Sequence, residues 1–251
     1  MDDLTARFAR DGFVVFDHDP RVARWAAAAL PFAIEASRDP KLRETWMRQG
    51  GTWFVGVDVL PNGADGAIGG MPLEGPWDRL VAPPPVWHPA QVSVTYPGYP
   101  RQDATESDAA HRFRLRRDAA HVDGLHLEAG RRILREAHMF ILGTPLNESD
   151  ASPLVVWRGS HRPMAAALTA DLAPEVIGTD VTEAYTQTRA EVFESCARVE
   201  VRMRPGQAVL LDRFLLHGVA PWRAGMRAPS EGRMIAYFRP EFEKADDWRH
   251  T

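Results

Sequence analysis

The chain is poor in cysteine: of its 251 residues, Cys196 alone carries a thiol. No intrachain disulfide can form, and metal sites built from two or four thiolates are excluded. Lysine is nearly as scarce. Only Lys41 and Lys244 occur among the 30 basic residues, so the other 28 are arginine. A strong charge of either sign is missing as well, since 30 basic against 34 acidic residues leave −4. That gives no basic footprint for nucleic acid. The longest apolar run, Trp25 to Ile34, has 10 residues and contains Pro31, well short of the roughly 20 that cross a bilayer. The opening Met1-Asp2-Asp3-Leu4-Thr5 begins acidic and lacks the apolar stretch of a signal peptide. The expectation is a cytoplasmic protein with no nucleic-acid partner and no membrane association.

What is present is ordinary globular composition, 45% hydrophobic and 25% charged. A chain of this length buries about 70–75% of its unfolded surface, enough for a sizeable core without staples. No linker or repeat divides it, so residues 1–251 read as one domain. Residues 1–48 read as helical with one short strand, Gly12–Phe16. Asp19-Pro20 starts a helix running over Arg21–Ala36. Residues 50–88 are a Gly/Pro-rich lid or loop: eight of the 19 glycines fall between Gly50 and Gly75, with Trp53, Trp77 and Trp87 among them.

From residue 90 the pattern turns strand-like. Short strands are expected at Gln91–Tyr96, Ala119–Val122, Ala137–Leu142, Leu154–Trp157, Arg198–Met203, Ala208–Leu211, Phe214–Gly218 and Arg233–Arg239. A helical insertion interrupts them at about 180–197. The fold class is therefore mainly β with flanking helices (α+β), a sandwich or jelly roll buttressed by helices.

The most informative residues are His121, Asp123 and Gly124 in Ala119-Ala120-His121-Val122-Asp123-Gly124. Side chains two apart on a strand share a face, and a turn at Gly124 lets Asp123 curl back towards the imidazole. Alone, His-x-Asp is a weak signal. His217 adds a third donor from an otherwise apolar strand, with Gly218 allowing close approach of another group. Two histidines and a carboxylate are the facial triad of non-haem Fe(II) oxygenases, which leaves coordination positions open. Such enzymes need an anchor for the far carboxylate of 2-oxoglutarate, a natural task for a bidentate arginine. Arg233 opens the last strand, 16 residues after His217.

His121-Val122-Asp123, Gly159-Ser160-His161-Arg162, Pro205-Gly206, Asp212, His217 and Arg233, in this order, resemble the phytanoyl-CoA dioxygenase family, as does the opening Asp11-Gly12-Phe13-Val14-Val15. The resemblance spans about residues 8 to 240. It implies a double-stranded β-helix (jelly-roll, cupin-like) core and the use of Fe(II), 2-oxoglutarate and O2. It implies His121, Asp123 and His217 as catalytic iron ligands and Arg233 as the co-substrate anchor, with His138 near the co-substrate. The implied reaction is hydroxylation of a small-molecule C–H bond with release of succinate and CO2. Asp123 favours hydroxylation over chlorination, because halogenases of the family keep that position small.

The anchor has alternatives in Arg227 and Arg239. Arg233 and Arg239 are an even number of residues apart and can share a strand face. Val219 stands where a hydroxyl residue often helps hold the co-substrate, and Trp222 where a small polar one is usual. His138 reads equally as a core histidine, and His161 as support for a turn. Arg112, Arg114, Arg116 and Arg117 read as a solvated strand edge, with recognition of an anionic substrate as the minority reading. Trp53 and Trp77 either cover a substrate or pack the lid. Two other function classes stay open. One is a cupin-like metalloenzyme that does not use 2-oxoglutarate, and the other is a non-catalytic ligand-binding family member.

Overall fold

The structure, a computed structural model, describes residues 3–170, 172 and 174–250. In chain order the elements are α1 (Asp3–Asp11), β1 (Phe13–Phe16), α2 (Pro20–Arg38), α3 (Pro40–Trp46), β2 (Met47–Arg48), β3 (Trp53–Phe54), β4 (Gln91–Thr95), α4 (Asp108–Arg116), β5 (Leu125–Glu128), β6 (Arg131–Leu134), β7 (Phe140–Pro145), β8 (Leu154–Trp157), α5 (His161–Thr169), α6 (Thr182–Ser195), β9 (Arg198–Val201), β10 (Ala208–Asp212), β11 (His217–Val219) and β12 (Arg233–Phe238).

Seven strands form one sheet in the order β1-β10-β7-β12-β4-β3-β2, and three form a second in the order β11-β8-β9. The strand pairs are antiparallel. From β4 onward the chain crosses between the sheets: β7 lies in the large one, β8 and β9 in the small one, β10 in the large, β11 in the small and β12 in the large. This winding is that of a jelly roll. A fourth strand of the small sheet is reduced to a single bridge, His121 to His217.

Alternation along each strand builds the layers. On β12, Ile235 and Tyr237 face the small sheet and pack with Ile141, Leu154, Val156, Val209 and Leu211. Met234, Ala236 and Phe238 face the other way, against α2 and its Trp25, Ala26, Ala29 and Ala33. The outer face of the small sheet is covered by α5 and α6 through Met164, Leu168, Tyr185 and Val192. Each fully buried aliphatic or aromatic side chain contributes roughly 1.5–3 kcal/mol. The inter-sheet core therefore forms a rigid frame around the few polar groups that point into it.

Local chemistry explains the element ends. The Asp19 carboxylate accepts the Arg21 N–H at 2.8 Å and Pro20 takes the first turn of α2, where its missing N–H costs nothing. Asp39 ends α2 and caps α3 by accepting the Leu42 N–H at 2.9 Å.

Several sequence expectations are corrected. Residues 119–122 form no strand; their one ladder contact is the His121 bridge. The strand expected at 137–142 begins three residues later, and the one expected at 214–218 starts at His217. The arginine run is the helix α4, capped by Ser107, whose hydroxyl accepts the Ala110 N–H at 3.2 Å. Arg114 pairs with Glu106, and Arg117 lies 4.4 Å above the Phe193 ring. Within the 50–88 segment, Trp77 and Trp87 are buried in the core beside α2, where Trp87 meets Phe140 and Phe238 edge to face. The hairpin β5–β6 and α5 were not expected.

Candidate metal centre

The segment ahead of His121 is held by an ion pair. Asp118 is buried, and Arg198 of β9 donates to both of its carboxylate oxygens at 2.7 Å. Asp118 and Ala119 both sit at positive φ, 53° and 54°, a conformation that costs about 1–2 kcal/mol per residue. The Val219 N–H donates to the Asp118 carbonyl at 2.9 Å. The approach is closest at Gly218, where a Cβ would lie 2.2 Å from that carbonyl oxygen. Only glycine lets the segment lie flat on β11.

His121 and His217 then exchange backbone hydrogen bonds at 2.8 and 3.0 Å. Their rings lie 4.7 Å apart. Gly124, at φ +81°, turns the chain straight after Asp123 and brings the carboxylate between the two imidazoles. Asp123 Oδ1 is 3.2 Å from His121 Nε2, and Oδ2 is 3.8 Å from His217 Nε2. The ligand atoms of all three lie within 4.8 Å of one another.

The remaining ring nitrogens define the chemistry. His121 Nδ1 lies 3.0 Å from the Ala119 carbonyl, and His217 Nδ1 lies 2.9 Å from the Leu215 carbonyl. A carbonyl only accepts, so each Nδ1 carries the proton, and a neutral ring then turns the Nε2 lone pair towards Asp123. Two lone pairs and a carboxylate converging on one point repel unless a cation lies between them. These three residues could hold a divalent metal ion.

Burial pushes the His217 ring down to about 4, so it is neutral at physiological pH. Burial opposes the charged form of His121 too, but Asp123 outweighs it through a hydrogen bond and its charge and raises the pKa, so in the absence of a metal this ring takes up a second proton on Nε2, the position a metal ion would occupy. Burial also opposes ionisation of Asp123; the His121 hydrogen bond and the charges of His217, Arg239 and His121 nonetheless hold it well below the usual carboxylate range. The site is a carboxylate seeking positive charge.

The pocket at the cluster is lined by Trp53, Gln91, Ser93, Ile141, Leu154, Val219 and Tyr237. Trp53 donates to the Ser93 hydroxyl at 3.0 Å. Arg233, 5% exposed and on the same face of β12 as Ile235 and Tyr237, lines a neighbouring cavity with Asn147, Asp150, Val201 and Arg202 rather than the metal pocket itself. Among the described residues it has no ion-pair partner, and its Nη1 has no hydrogen-bond partner. Directly across from it on β4 is Thr95, whose fully buried hydroxyl is also unpaired. The Tyr237 hydroxyl makes no well-formed hydrogen bond, and its nearest polar neighbour is the Arg233 guanidinium, whose charge and hydrogen bonding act on it. Gly143, opposite Tyr237 on β7, makes room for its ring: a Cβ there would lie 2.6 Å from it. A buried unpaired guanidinium is expensive. The Arg233 Nη1, the Thr95 hydroxyl and the Tyr237 hydroxyl are buried polar atoms with unfilled hydrogen-bonding capacity.

The other candidates fall elsewhere. His138 is buried, but its Nε2 binds Glu136 at 2.9 Å and it lines an adjoining cleft rather than the metal pocket. Arg227 lies on a surface groove with Glu148, Asp150 and Arg204. Arg239 lines the cleft shared with His138. Ser160, in the Gly159-Ser160-His161 motif, accepts the Leu216 N–H at 2.9 Å and so steadies the residue before His217. Of the three tryptophans, only Trp53 reaches the pocket. Thr95, Tyr237 and the Asp118–Arg198 pair escape the sequence reading; the even register that places Thr95 opposite Arg233 exists only once the sheet is formed.

Among the described residues no helix is long and apolar enough to cross a membrane. No protein-family model matches the chain, and no curated protein matches it. Solved structures do. EctD from S. alaskensis with bound Fe is 18% identical, with 93% of this chain and 74% of that one covered at a TM-score of 0.47. The non-heme alpha ketoglutarate dependent carbocyclase SnoK from nogalamycin biosynthesis is 13% identical, covering 97% and 88% at 0.46. AviO1 from Streptomyces viridochromogenes Tue57 is 15% identical, covering 96% and 95% at 0.42.

Proposed function

We propose that this chain is an Fe(II)- and 2-oxoglutarate-dependent dioxygenase of the phytanoyl-CoA dioxygenase kind, hydroxylating a C–H bond of a small molecule. The observation that carries the reading is the pairing of two sites. Nε2 lone pairs of His121 and His217 converge on the Asp123 carboxylate, and an unpaired, buried Arg233 lies between the same two sheets. A metal site alone fits many enzymes. A metal site with a buried guanidinium and two hydroxyls of unfilled hydrogen-bonding capacity fits a metal-bound co-substrate with a far carboxylate.

His121, Asp123 and His217 would hold the metal. The Nδ1–H bonds to Ala119 and Leu215 keep both rings oriented and basic. Bound Fe(II) supplies the activation of O2 with electrons from 2-oxoglutarate, so that one oxygen atom enters succinate and the other the substrate, with loss of CO2. Arg233 takes the far carboxylate through its fork, while the Thr95 and Tyr237 hydroxyls donate to the same group. Ile141, Leu154 and Val219 give the pocket an apolar wall.

The test is turnover without a known substrate. Purified protein given Fe(II), 2-oxoglutarate and air releases succinate above a metal-free control. Absence of succinate, together with no thermal stabilisation by Fe(II) and 2-oxoglutarate, would contradict the assignment.

A further inference from the structure

Three arginines were candidates for one carboxylate, and the structure separates two of them along β12. Arg233, Ile235 and Tyr237 share one face of β12, and Arg239 lies one residue beyond the strand's end. At about 3.4 Å per residue, Arg233 and Arg239 are roughly 20 Å apart along the strand. A five-carbon diacid bound to the metal cannot reach both. Tyr237 stands between them and lines both the metal pocket and the outer cleft. Arg233 and Arg239 therefore lie at opposite ends of β12 and line different cavities.

The outer cleft is lined by Asp58, His88, Gln91, Glu136, Tyr237, Arg239 and other residues, and Gln91 also faces the metal pocket. Arg239 is half-buried, and among the described residues it has neither an ion-pair nor a hydrogen-bond partner. Three carboxylates, Asp58, Glu136 and Glu241, share the cleft, and the Arg239 charge acts on Glu136, but none forms an ion pair with it. Glu136 is held by His138 at 2.9 Å and by His126 at 3.3 Å. The guanidinium is close enough for its charge to act on His121, Asp123 and His217. It has unfilled hydrogen-bonding capacity and lies at the rim of the metal pocket, in a cleft that shares Gln91 and Tyr237 with it.

We propose that Arg239 is the anchor for the primary substrate, and that this substrate is a small molecule carrying a carboxylate. The carboxylate docks in the outer cleft on the Arg239 fork, and the rest of the molecule passes Gln91 and Tyr237 towards the metal. Arg239 is a specificity residue rather than a catalytic one. The inference rests on the dioxygenase reading, because it assigns Arg239 to the substrate only once Arg233 holds 2-oxoglutarate.

The experiment uses the full chain loaded with Fe(II) and 2-oxoglutarate without oxygen, followed by thermal shift. The probes are a panel of small amino, hydroxy and fatty acids, each paired with its primary amide. At least one acid raises the melting temperature further, and its amide does not. Arg239→Gln weakens binding of that acid by roughly tenfold or more, the loss of a charged hydrogen-bonding group. Arg239→Lys recovers part of it. Both variants keep the response to 2-oxoglutarate, which also reports that they fold. The proposal is overturned if amides bind as well as acids, if no acid binds, or if Arg239→Gln weakens 2-oxoglutarate instead. A wild-type protein that ignores Fe(II) and 2-oxoglutarate fails earlier, before any acid is added, and overturns the dioxygenase reading itself.

Discussion

His121 and His217 are joined through their backbones: the N–H of each donates to the carbonyl of the other, at 2.8 and 3.0 Å. The spacing of the two imidazoles is thus a property of main-chain pairing rather than of flexible side chains. Asp123 follows two residues on and closes the cluster. Anything that parts the two strands opens the metal site.

Gly218→Ala does this. Its Cβ would lie 2.2 Å from the Asp118 carbonyl oxygen and 3.2 Å from the Ala120 Cα, both backbone atoms that cannot swing aside. The expected outcome is a loss of about 1–3 kcal/mol in stability together with loss of the response to Fe(II). A urea midpoint and a metal titration on the same sample measure both. An unchanged Fe(II) affinity would mean that the bridge does not set the site.

Replacing a ligand removes the metal without breaking the frame. In wild-type protein, Fe(II) at about 100 times its dissociation constant adds about 2.7 kcal/mol of apparent stability. With His217→Ala or Asp123→Asn that increment disappears, read as a melting temperature independent of Fe(II). Retention of the increment in Asp123→Asn would remove Asp123 from the ligand set.

Arg198 acts at a distance. It holds the buried Asp118 at two points of 2.7 Å, and Asp118 lies in the turn that aims His121. Arg198→Ala strands a buried carboxylate, at about 2–3 kcal/mol, below the fully buried range because Arg198 is 37% exposed on its side chain. The Fe(II) affinity falls by roughly tenfold as well. Arg198→Lys restores stability better than affinity, since a point charge cannot reproduce the two-point grip.

The acid limb of stability has an assignable component in Glu136. The His138 hydrogen bond lowers its pKa from 4.5 to about 2 against the opposing effect of burial. A carboxylate with a depressed folded pKa stabilises the fold above its unfolded value and loses that effect as pH falls through the folded one. The stability difference between wild type and Glu136→Gln is therefore full at neutral pH and shrinks between about 4.5 and about 2. Urea midpoints across that range check the sign; a difference that grows on acidification would contradict it.

Much of this site is legible in the chain before folding. His121, Asp123 and His217 announce themselves by donor type, and Arg233 by its place at the start of a strand. β8 falls where alternation and turn residues put it, at Leu154–Trp157. What escapes is tertiary. Ala119–Val122 has the composition of a strand, yet two positive-φ residues and the Asp118 ion pair bend it into a turn with one bridge. The arginines of α4 look like a solvated edge until Ser107 is recognised as a cap. Thr95 is one threonine among many, and only the register of β4 on β12 sets it opposite Arg233. The distinction between Arg233 and Arg239 likewise depends on which side of Tyr237 each occupies.

The central claim is that Arg233 holds 2-oxoglutarate beside an iron bound by His121, Asp123 and His217, and a titration of 2-oxoglutarate into the oxygen-free protein tests it most directly. The predicted result is binding that requires Fe(II) and weakens by roughly 10- to 100-fold in Arg233→Gln, the loss of a charged two-point contact, with Fe(II) affinity unchanged. Binding that is independent of Fe(II), or equal in wild type and Arg233→Gln, would contradict the account.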